Sequence, residues 1–471
     1  MLNRCDRLDK RAVGTGVFLQ IRVAGSRRAF FAWATVAALS VPVWVNNAFA
    51  AGFALREYGF DAASSSFAGA SAQTDSSAFL AYNPATSSGV SAWDAQFTLN
   101  AIYPTSDANF SLSTTSIGVN TGGSTTPSDF IKDAYEPGLS LRLRLDDQWT
   151  VGVAVSAPWG LSTRYNQGWA GRYYAIESKL VTVNLAPSMA YQVSPNFVLS
   201  AGAQIQYAKG TLSNAIDFGT IGVVNGVIGA SSGTQDGFVE FNAQDWAFGY
   251  QLGALWQPSS TFSVGAAYKS KLVHDLTGDI DFTLDTAGIG ATLSAVTGAF
   301  VNTKGRTDLN LPAVASLGFA WQISSDVTLL AETGFTQWSD FRELRVKSAN
   351  PLQPDTIQSY DWEDAWLGAV GVRYQASPDW VLRTGIAFDE SPTRDSTRDP
   401  RIPDASRTWL AFGLEHQLTE RTSLQVGYAR LIFPAEPINL NSTTPGNEVR
   451  GNLSGRTDAD ADMISFQLTF K

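Results

Sequence analysis

In the run LSLRLRL, Leu139, Leu141, Leu143 and Leu145 fall on one face of an extended chain, and Ser140, Arg142 and Arg144 fall on the other. The run LSAGAQIQY sets Leu199, Ala201, Ala203, Ile205 and Tyr207 against Ser200, Gly202, Gln204 and Gln206. At the C-terminus Ile464, Phe466, Leu468 and Phe470 alternate with Ser465, Gln467 and Thr469. Successive side chains of a strand point to opposite faces, so a two-residue period held over about ten residues yields one apolar and one polar face. Fourteen such strands are predicted, over residues 92–103, 138–145, 149–157, 180–193, 196–208, 246–256, 261–270, 311–323, 326–336, 366–375, 379–388, 407–417, 422–431 and 462–470.

A soluble β-sandwich would alternate in the same way; the connections separate the two. Six are short (DDQ, SP, QPSS, SS, ASP and LTER), and they alternate strictly with seven others of about 18 to 40 residues. Short turns on one side and long loops on the other, with both termini on the short-turn side, describe an even-stranded outer-membrane barrel. Trp149, Phe197, Trp246, Trp256, Phe262, Trp366, Trp380 and Trp409 near strand ends fit interfacial girdles. Pro187, inside the fourth strand, cannot donate to the ladder and predicts a bulge or edge distortion. The expected fold is all-β, a fourteen-stranded antiparallel transmembrane β-barrel over residues 92–471.

Residues 1–50 read as an export presequence. Arg27 and Arg28 precede the apolar run AFFAWATVAALSVPVWV, and Ala48 and Ala50 fit a small-residue cleavage site. SRRAFF also resembles a twin-arginine signal, although a chain that must reach its membrane unfolded suits the general secretory route. Cys5 is the sole cysteine and lies in this segment, which excludes disulfides from the remainder. Removing the presequence's seven basic and two acidic residues takes the net charge from −10 to −15. That balance disfavours a nucleic-acid partner.

Residues 51–91 precede the first strand and are too apolar and rich in small residues for a solvated tail, so they are expected to fold into the lumen as a hatch. This stretch, AGFALREYGFDAASSSFAGASAQTDSSAFLAYNPAT, resembles the N-terminal hatch of the long-chain fatty acid transporter (FadL) family of bacterial outer membranes, which includes porins for aromatic hydrocarbons. The resemblance continues through SAPWGLSTRY (156–165), WAFGYQLGALWQP (246–258), TQWSDF (336–341) and the block from Leu382 to Leu418, LRTGIAFDESP…IPDASRTWLAFGLEHQL. One departure is the ending Phe470-Lys471, since such chains commonly finish on an aromatic residue.

The resemblance implies passive uptake of a hydrophobic small molecule, a long-chain fatty acid or alternatively an aromatic or alkane hydrocarbon. It implies no cofactor and no enzyme activity. The lipid and lipopolysaccharide of the outer membrane, together with the barrel-assembly machinery, are the implied partners. On this reading Asn83-Pro84-Ala85 forms a rigid turn of the hatch, and Ser156, Ala157, Pro158, Trp159 and Gly160 form an inward kink that opens the wall sideways. Lys209 and Arg345 become candidates for a carboxylate, with Phe53 and Leu55 against the ligand. Other chemistry is weaker. Gly229 to Gly233 matches G-x-S-x-G, but Ser231 sits in a Gly/Ser-rich loop rather than between a strand and a helix. His274 is expected to open a long loop and His416 to close a strand, without a cysteine near either. Asp458, Asp460 and Asp462 read as a solvated loop end rather than a cation site.

Overall fold

The computed structural model describes residues 52–471, so the presequence expected over 1–50, with Cys5, lies outside the described residues. Fourteen staves form one closed sheet in which each pairs antiparallel with its neighbour in sequence. The first, Trp93–Thr114, meets the last, Asn452–Phe470, from Ala95↔Phe470 to Thr114↔Asn452. Closure removes the free edges that a bilayer cannot satisfy. The six short turns sit where the spacing places them, for example between Gln417 and Thr422. Six staves are interrupted: the third (Trp149–Ser156 and Gly160–Arg164), the seventh (Phe262–Lys269 and Leu272–Thr283), the eighth (Thr303–Leu311 and Val314–Gln322), the ninth (Val327–Thr336 and Glu343–Ser348), the tenth (Thr356–Ser359 and Ala365–Ser377) and the thirteenth (Thr422–Ile432 and Glu436–Leu440).

The staves reach further outward than the alternation predicts: 92–103 becomes Trp93–Thr114, and 462–470 becomes Asn452–Phe470. The physical reason lies in the first stave. In its lower half Phe97, Leu99 and Tyr103 are exposed on the outer face, while Asp94, Gln96, Thr98 and Asn100 are buried inside. Higher up the pattern reverses: Asp107, Asn109 and Ser111 face out, and Ala108 and Phe110 are buried. Past the bilayer the outer face no longer meets lipid, so the apolar/polar code that marks a membrane strand changes phase.

Other expectations are corrected by the same extension. His274 lies within the seventh stave, fully buried, instead of opening a loop. Asp458, Asp460 and Asp462 lie in the fourteenth stave rather than at a loop end; Asp460 and Asp462 are held by Arg430 at 2.7 and 2.9 Å. Trp409 does not join a girdle. Leu410 and Phe412 take the outward positions of the twelfth stave, which leaves Trp409 fully buried in the lumen against Phe67. Pro187 produces no register shift; the ladder to the fifth stave merely loses the pairings of Ala186 and Pro187.

Ahead of the first stave, Gly52–Val90 is enclosed by the ring. Its short helices are Phe60–Ala63, Ser77–Ala81 and Pro84–Gly89, and nearly every residue is buried. Inward glycines of the staves allow its backbone to approach. A methyl group at Gly265 would lie 1.7 Å from the Ser71 carbonyl oxygen, and one at Gly385 2.0 Å from that of Ser65. A methyl group at Gly138 would meet the Tyr58 carbonyl, and one at Gly253 or Gly413 the side chain of Asn83 or Ser64. No side chain larger than hydrogen fits at these contacts.

Candidate transport route through the lumen

The lower lumen is polar, and the inner segment is bound there by charge. Arg142 of the second stave holds Asp94 bidentately at 2.8 and 2.7 Å and donates to the carbonyl oxygens of Thr74 and Thr86 at 2.8 and 2.9 Å. Arg383 of the eleventh stave pairs with Asp61 at 3.0 Å. Asn83 is extended, and Pro84 takes the first position of the short helix that follows. The Asn83 side chain accepts from the Ala85 amide at 3.0 Å and donates to the carbonyls of Ser71 and of Ala254 in the wall, at 2.7 and 3.0 Å. Ala85 packs on Ala190, Val198 and Leu255. Thus the Asn-Pro-Ala step caps a helix and ties segment to wall through backbone carbonyls.

At the third stave the ladder breaks. Ser156 pairs with Asn184 and Gly160 with Val181, so the stave carries one residue more than its partner across the break. On the other side, pairing with the second stave stops at Leu139↔Val155, and Ala134–Gly138 have no third-stave partner before the isolated bridge Ile131↔Thr163. The released groups are taken up partly by the wall, where Thr182 Oγ1 accepts from the Trp159 amide at 3.0 Å and donates to its carbonyl at 2.6 Å, and partly by the inner segment. Leu55 donates to the Pro158 carbonyl and Gly160 to that of Phe53, each at 2.9 Å. Trp159 is turned in, with its indole 6.1 Å from the Phe53 ring and 5.4 Å from that of Trp338.

Above the polar floor the lining of the lumen becomes mainly apolar, with scattered charged groups, and a chain of cavities follows it down to the inner segment. The outer one measures about 410 Å³ and is walled by Leu212, Val239, Phe241, Ile280 and Phe282, with Arg401 and Arg450 among its polar residues. It shares Leu212, Phe241, Leu344 and Arg401 with a middle cavity of about 60 Å³ lined by Leu161, Leu180, Leu276, Leu309 and Phe53. The inner cavity, about 70 Å³, is bounded by Ala54, Leu55, Pro158 and Trp159 and so touches the break. Phe53, packed edge-on against Trp338 (4.8 Å) and Phe341 (5.3 Å), stands between the middle and inner spaces. The start of this segment is tethered from above: the Gly52 amide donates at 2.8 Å to Asp404, in the loop that folds inward after the eleventh stave. Burial pushes the Asp404 carboxyl up to about 7.

Lys209 and Arg345 line none of these cavities. Lys209 is exposed on the outer face of the fifth stave, two residues beyond Tyr207 and in the same phase. Arg345 is paired with Glu343 (2.8 Å) and Asp355 (3.3 Å), while its neighbours Leu344 and Val346 line the outer cavity. Arg401 and Arg450 escaped the sequence reading because both lie in loops that carry no strand period. Arg401 at least sits inside the block of strongest family resemblance. Ser231 is exposed and His416 is stacked on Trp380 with centroids 4.0 Å apart, so neither approaches the route.

The outer membrane protein transport protein family (OMPP1/FadL/TodX) matches residues 42–471. The long-chain fatty acid transport protein of Escherichia coli K12 is 26% identical over 425 residues, covering 85% of this chain and 92% of that protein. Among solved structures, a Pseudomonas aeruginosa FadL homologue superposes with a TM-score of 0.82 at 24% identity, covering 89% of this chain and 99% of its own. The Pseudomonas putida toluene transporter TodX gives 0.66 at 16% identity, covering 86% and 97%.

Proposed function

The chain belongs to the outer membrane protein transport protein (OMPP1/FadL/TodX) family of outer-membrane barrels that move hydrophobic substrates, and from that premise we propose that it takes up long-chain fatty acids and releases them sideways into the membrane. The observation that carries this reading is the run of mainly apolar cavities that begins in the outer lumen and ends at the broken ladder of the third stave. The named substrate of the E. coli relative supports the aliphatic choice. A sixteen-carbon tail buried at about 0.8 kcal/mol per CH₂ supplies up to ~12 kcal/mol before association costs, so apolar lining dominates affinity.

In this reading Asn83, Pro84 and Ala85 hold the plug, Phe53 and Leu55 separate substrate from exit, and Ser156 to Gly160 form the exit. Replacing Ala157 to Gly160 by Thr-Val-Thr-Val offers the second stave a regular partner. The variant is expected to assemble as a heat-modifiable barrel and to lose fatty acid uptake in whole cells. Undiminished uptake by the assembled variant would refute the sideways route.

A further inference from the structure

On the outer face of the barrel the fourth (Glu177–Ser194), fifth (Phe197–Asp217) and sixth (Asp236–Ser259) staves lie side by side. Tyr207 and Trp246 are register partners with ring centroids 5.2 Å apart, and they close the lipid-facing apolar run at its external end. One step further out is a basic patch. Lys209 stands opposite Val181 and Gln244, and Lys179 opposite Thr211, so the two lysines are diagonal neighbours across one ladder. Thr211, Asn242 and Gln244 place neutral hydrogen-bonding groups around them, with Tyr207 donating to Gln244 Oε1 and Thr211 to Asn242 Oδ1, each at 2.7 Å. None of the outward positions next to Lys209 holds a carboxylate. Lys209 has no ion pair among the described residues, whereas Lys271 and Arg306, further round the rim, have Asp340 at 3.4 Å and Asp275 at 4.0 Å. Carboxylates begin one step higher or one stave further on, and they are engaged: Glu177 lies 3.7 Å from Arg164, Glu240 accepts from Asn242 at 2.7 Å, and Asp279 is held by Lys304 at 2.5 Å. Asp245 turns to the seventh stave, where it accepts from the Asp275 amide at 3.0 Å.

Below the patch the wall carries a seam. Pairing between the sixth and seventh staves stops at Gln244↔Thr277 and resumes at Gln251↔Lys269, so residues 245–250 and 270–276 have no ladder between them. Side chains stand in for it. Ser270 Oγ accepts from the Tyr250 amide at 3.0 Å, and Gln204 donates from the lumen to the carbonyls of Tyr250 and Ser270 at 3.1 and 3.3 Å. On the lipid side Phe248, midway along the seam, is 73% exposed, against 49–55% for the outward Phe97, Phe388, Phe412 and Phe466. An aromatic ring is bared in this way where the neighbouring stave stands off. Trp246 and Val273 are exposed beside it on the two staves.

We propose that patch and seam together form a site for lipid A, the phosphorylated diglucosamine lipid of the outer leaflet: Lys179 and Lys209 hold a phosphate, and an acyl chain lies along Trp246, Phe248 and Val273. Ammonium groups act on a phosphate as point charges, and the hydroxyl and amide groups between them reach its remaining oxygens. The height suits a head group, which begins just above the aromatic belt. The width suits a sugar lipid. From the fourth stave to the seam beyond the sixth is roughly 10–12 Å at ~4.8 Å per stave, a span that a disaccharide bridges and a glycerol does not. The site lies on the outside of the wall and does not depend on which substrate passes through the lumen.

The test titrates the full chain in detergent with lipid A, with dephosphorylated lipid A and with phosphatidylglycerol, and reads binding by native mass spectrometry. Two lysines at an anionic head group predict that wild type binds lipid A at least about tenfold more tightly than the dephosphorylated form. Lys179→Gln/Lys209→Gln should erase that margin, and Lys304→Gln, which removes a cation already paired with Asp279, should keep it. Phe248→Ala should weaken both forms of lipid A alike and leave the margin intact. A smaller margin in wild type overturns the phosphate site, as does a double variant that keeps the margin or a Lys304→Gln variant that loses it equally. Phosphatidylglycerol bound as tightly as lipid A overturns the choice of lipid, and unchanged affinities in Phe248→Ala remove the seam from the site. Heat-modifiability reports folding, and the three wild-type affinities decide the head group even if a variant fails to assemble.

Discussion

Arg142→Met should unseat the plug without unfolding the barrel. The guanidinium makes four hydrogen bonds, two to Asp94 and one each to the carbonyls of Thr74 and Thr86. Methionine keeps most of the volume and removes all four. Asp94, 2% exposed, is then a buried charge with no counter-ion. Breaking a buried pair from one side costs about 3–5 kcal/mol, and each carbonyl left dry adds about 1–3 kcal/mol. The ring of ladders is untouched, so the strain falls on the segment that can yield, Gly52–Val90. At 1.4 kcal/mol per decade, 3–5 kcal/mol shifts docked against undocked by roughly two to three and a half powers of ten. Single-channel recording in a planar bilayer should show openings that wild type lacks, with a variant lacking residues 51–85 marking the fully open level. Arg142→Met/Asp94→Leu, which removes the stranded charge, should recover most of the closure. If Arg142→Met remains electrically silent and its plug as protected from protease as wild type, the clamp assigned to Arg142 is wrong.

Gly385→Val and Gly253→Val put a side chain where the Ser65 carbonyl (2.0 Å) and Asn83 Oδ1 (2.1 Å) already lie. Strand propensity alone would favour valine by up to ~1 kcal/mol, so plug leakage in both, with none in Gly368→Val, whose added methyl meets nothing within 4 Å, identifies close approach as the reason for these glycines. For Asp404, the carboxyl at about 7 in the docked state against an ordinary 3.8 means that docking takes up a proton. The stability so gained is complete below about pH 4 and is lost as pH rises through about 7, a change of up to about 4 kcal/mol. Hydrogen exchange at the amides of Phe53 and Leu55, corrected for intrinsic rates, should therefore show less protection at pH 8 than at pH 5. Asp404→Asn should flatten that dependence, and an unchanged slope would remove Asp404 from the tether.

The barrel was legible because lipid enforces a code: every outward position from Phe97 to Tyr103 must be apolar, and the lower lumen around the plug tolerates polarity, so Gln96 and Thr98 alternate with them. The code fails where its cause ends. Above the bilayer Asp107 and Asn109 face water, and the first stave runs eleven residues past the predicted end at 103 without announcing itself. Trp409 lies near a strand end as girdle aromatics do, yet the phase of Leu410 and Phe412 assigns it to the lumen. Lys209 carries the same lesson, since Ile205 and Tyr207 place it outside. Arg401 and Arg450 had no such signal. Their burial results from loops that fold back over the lumen, a tertiary event that neither strand period nor charge count records.

The change from polar to apolar lining inside the lumen supports the proposed direction of travel. An apolar solute that fills the middle cavity has the plug below it and the break beside it. To pass through the plug it would have to separate groups such as Asp61, which pairs with Arg383 at 3.0 Å and accepts from Gln467 at 2.8 Å and Ser76 at 2.5 Å. Hydrogen bonds to charged groups contribute about 1.5–3 kcal/mol each, and an apolar chain can replace none of them. The sideways passage is closed instead by Phe53–Leu55, joined to the break through two neutral backbone bonds at 2.9 Å. Their net contribution is about 1–3 kcal/mol together, and the tail that displaces Phe53 restores the apolar contacts the ring had made with Trp338 and Phe341. On the proposed sideways route the wall therefore yields before the plug does, which is the order that delivers an apolar solute into lipid without meeting periplasmic water.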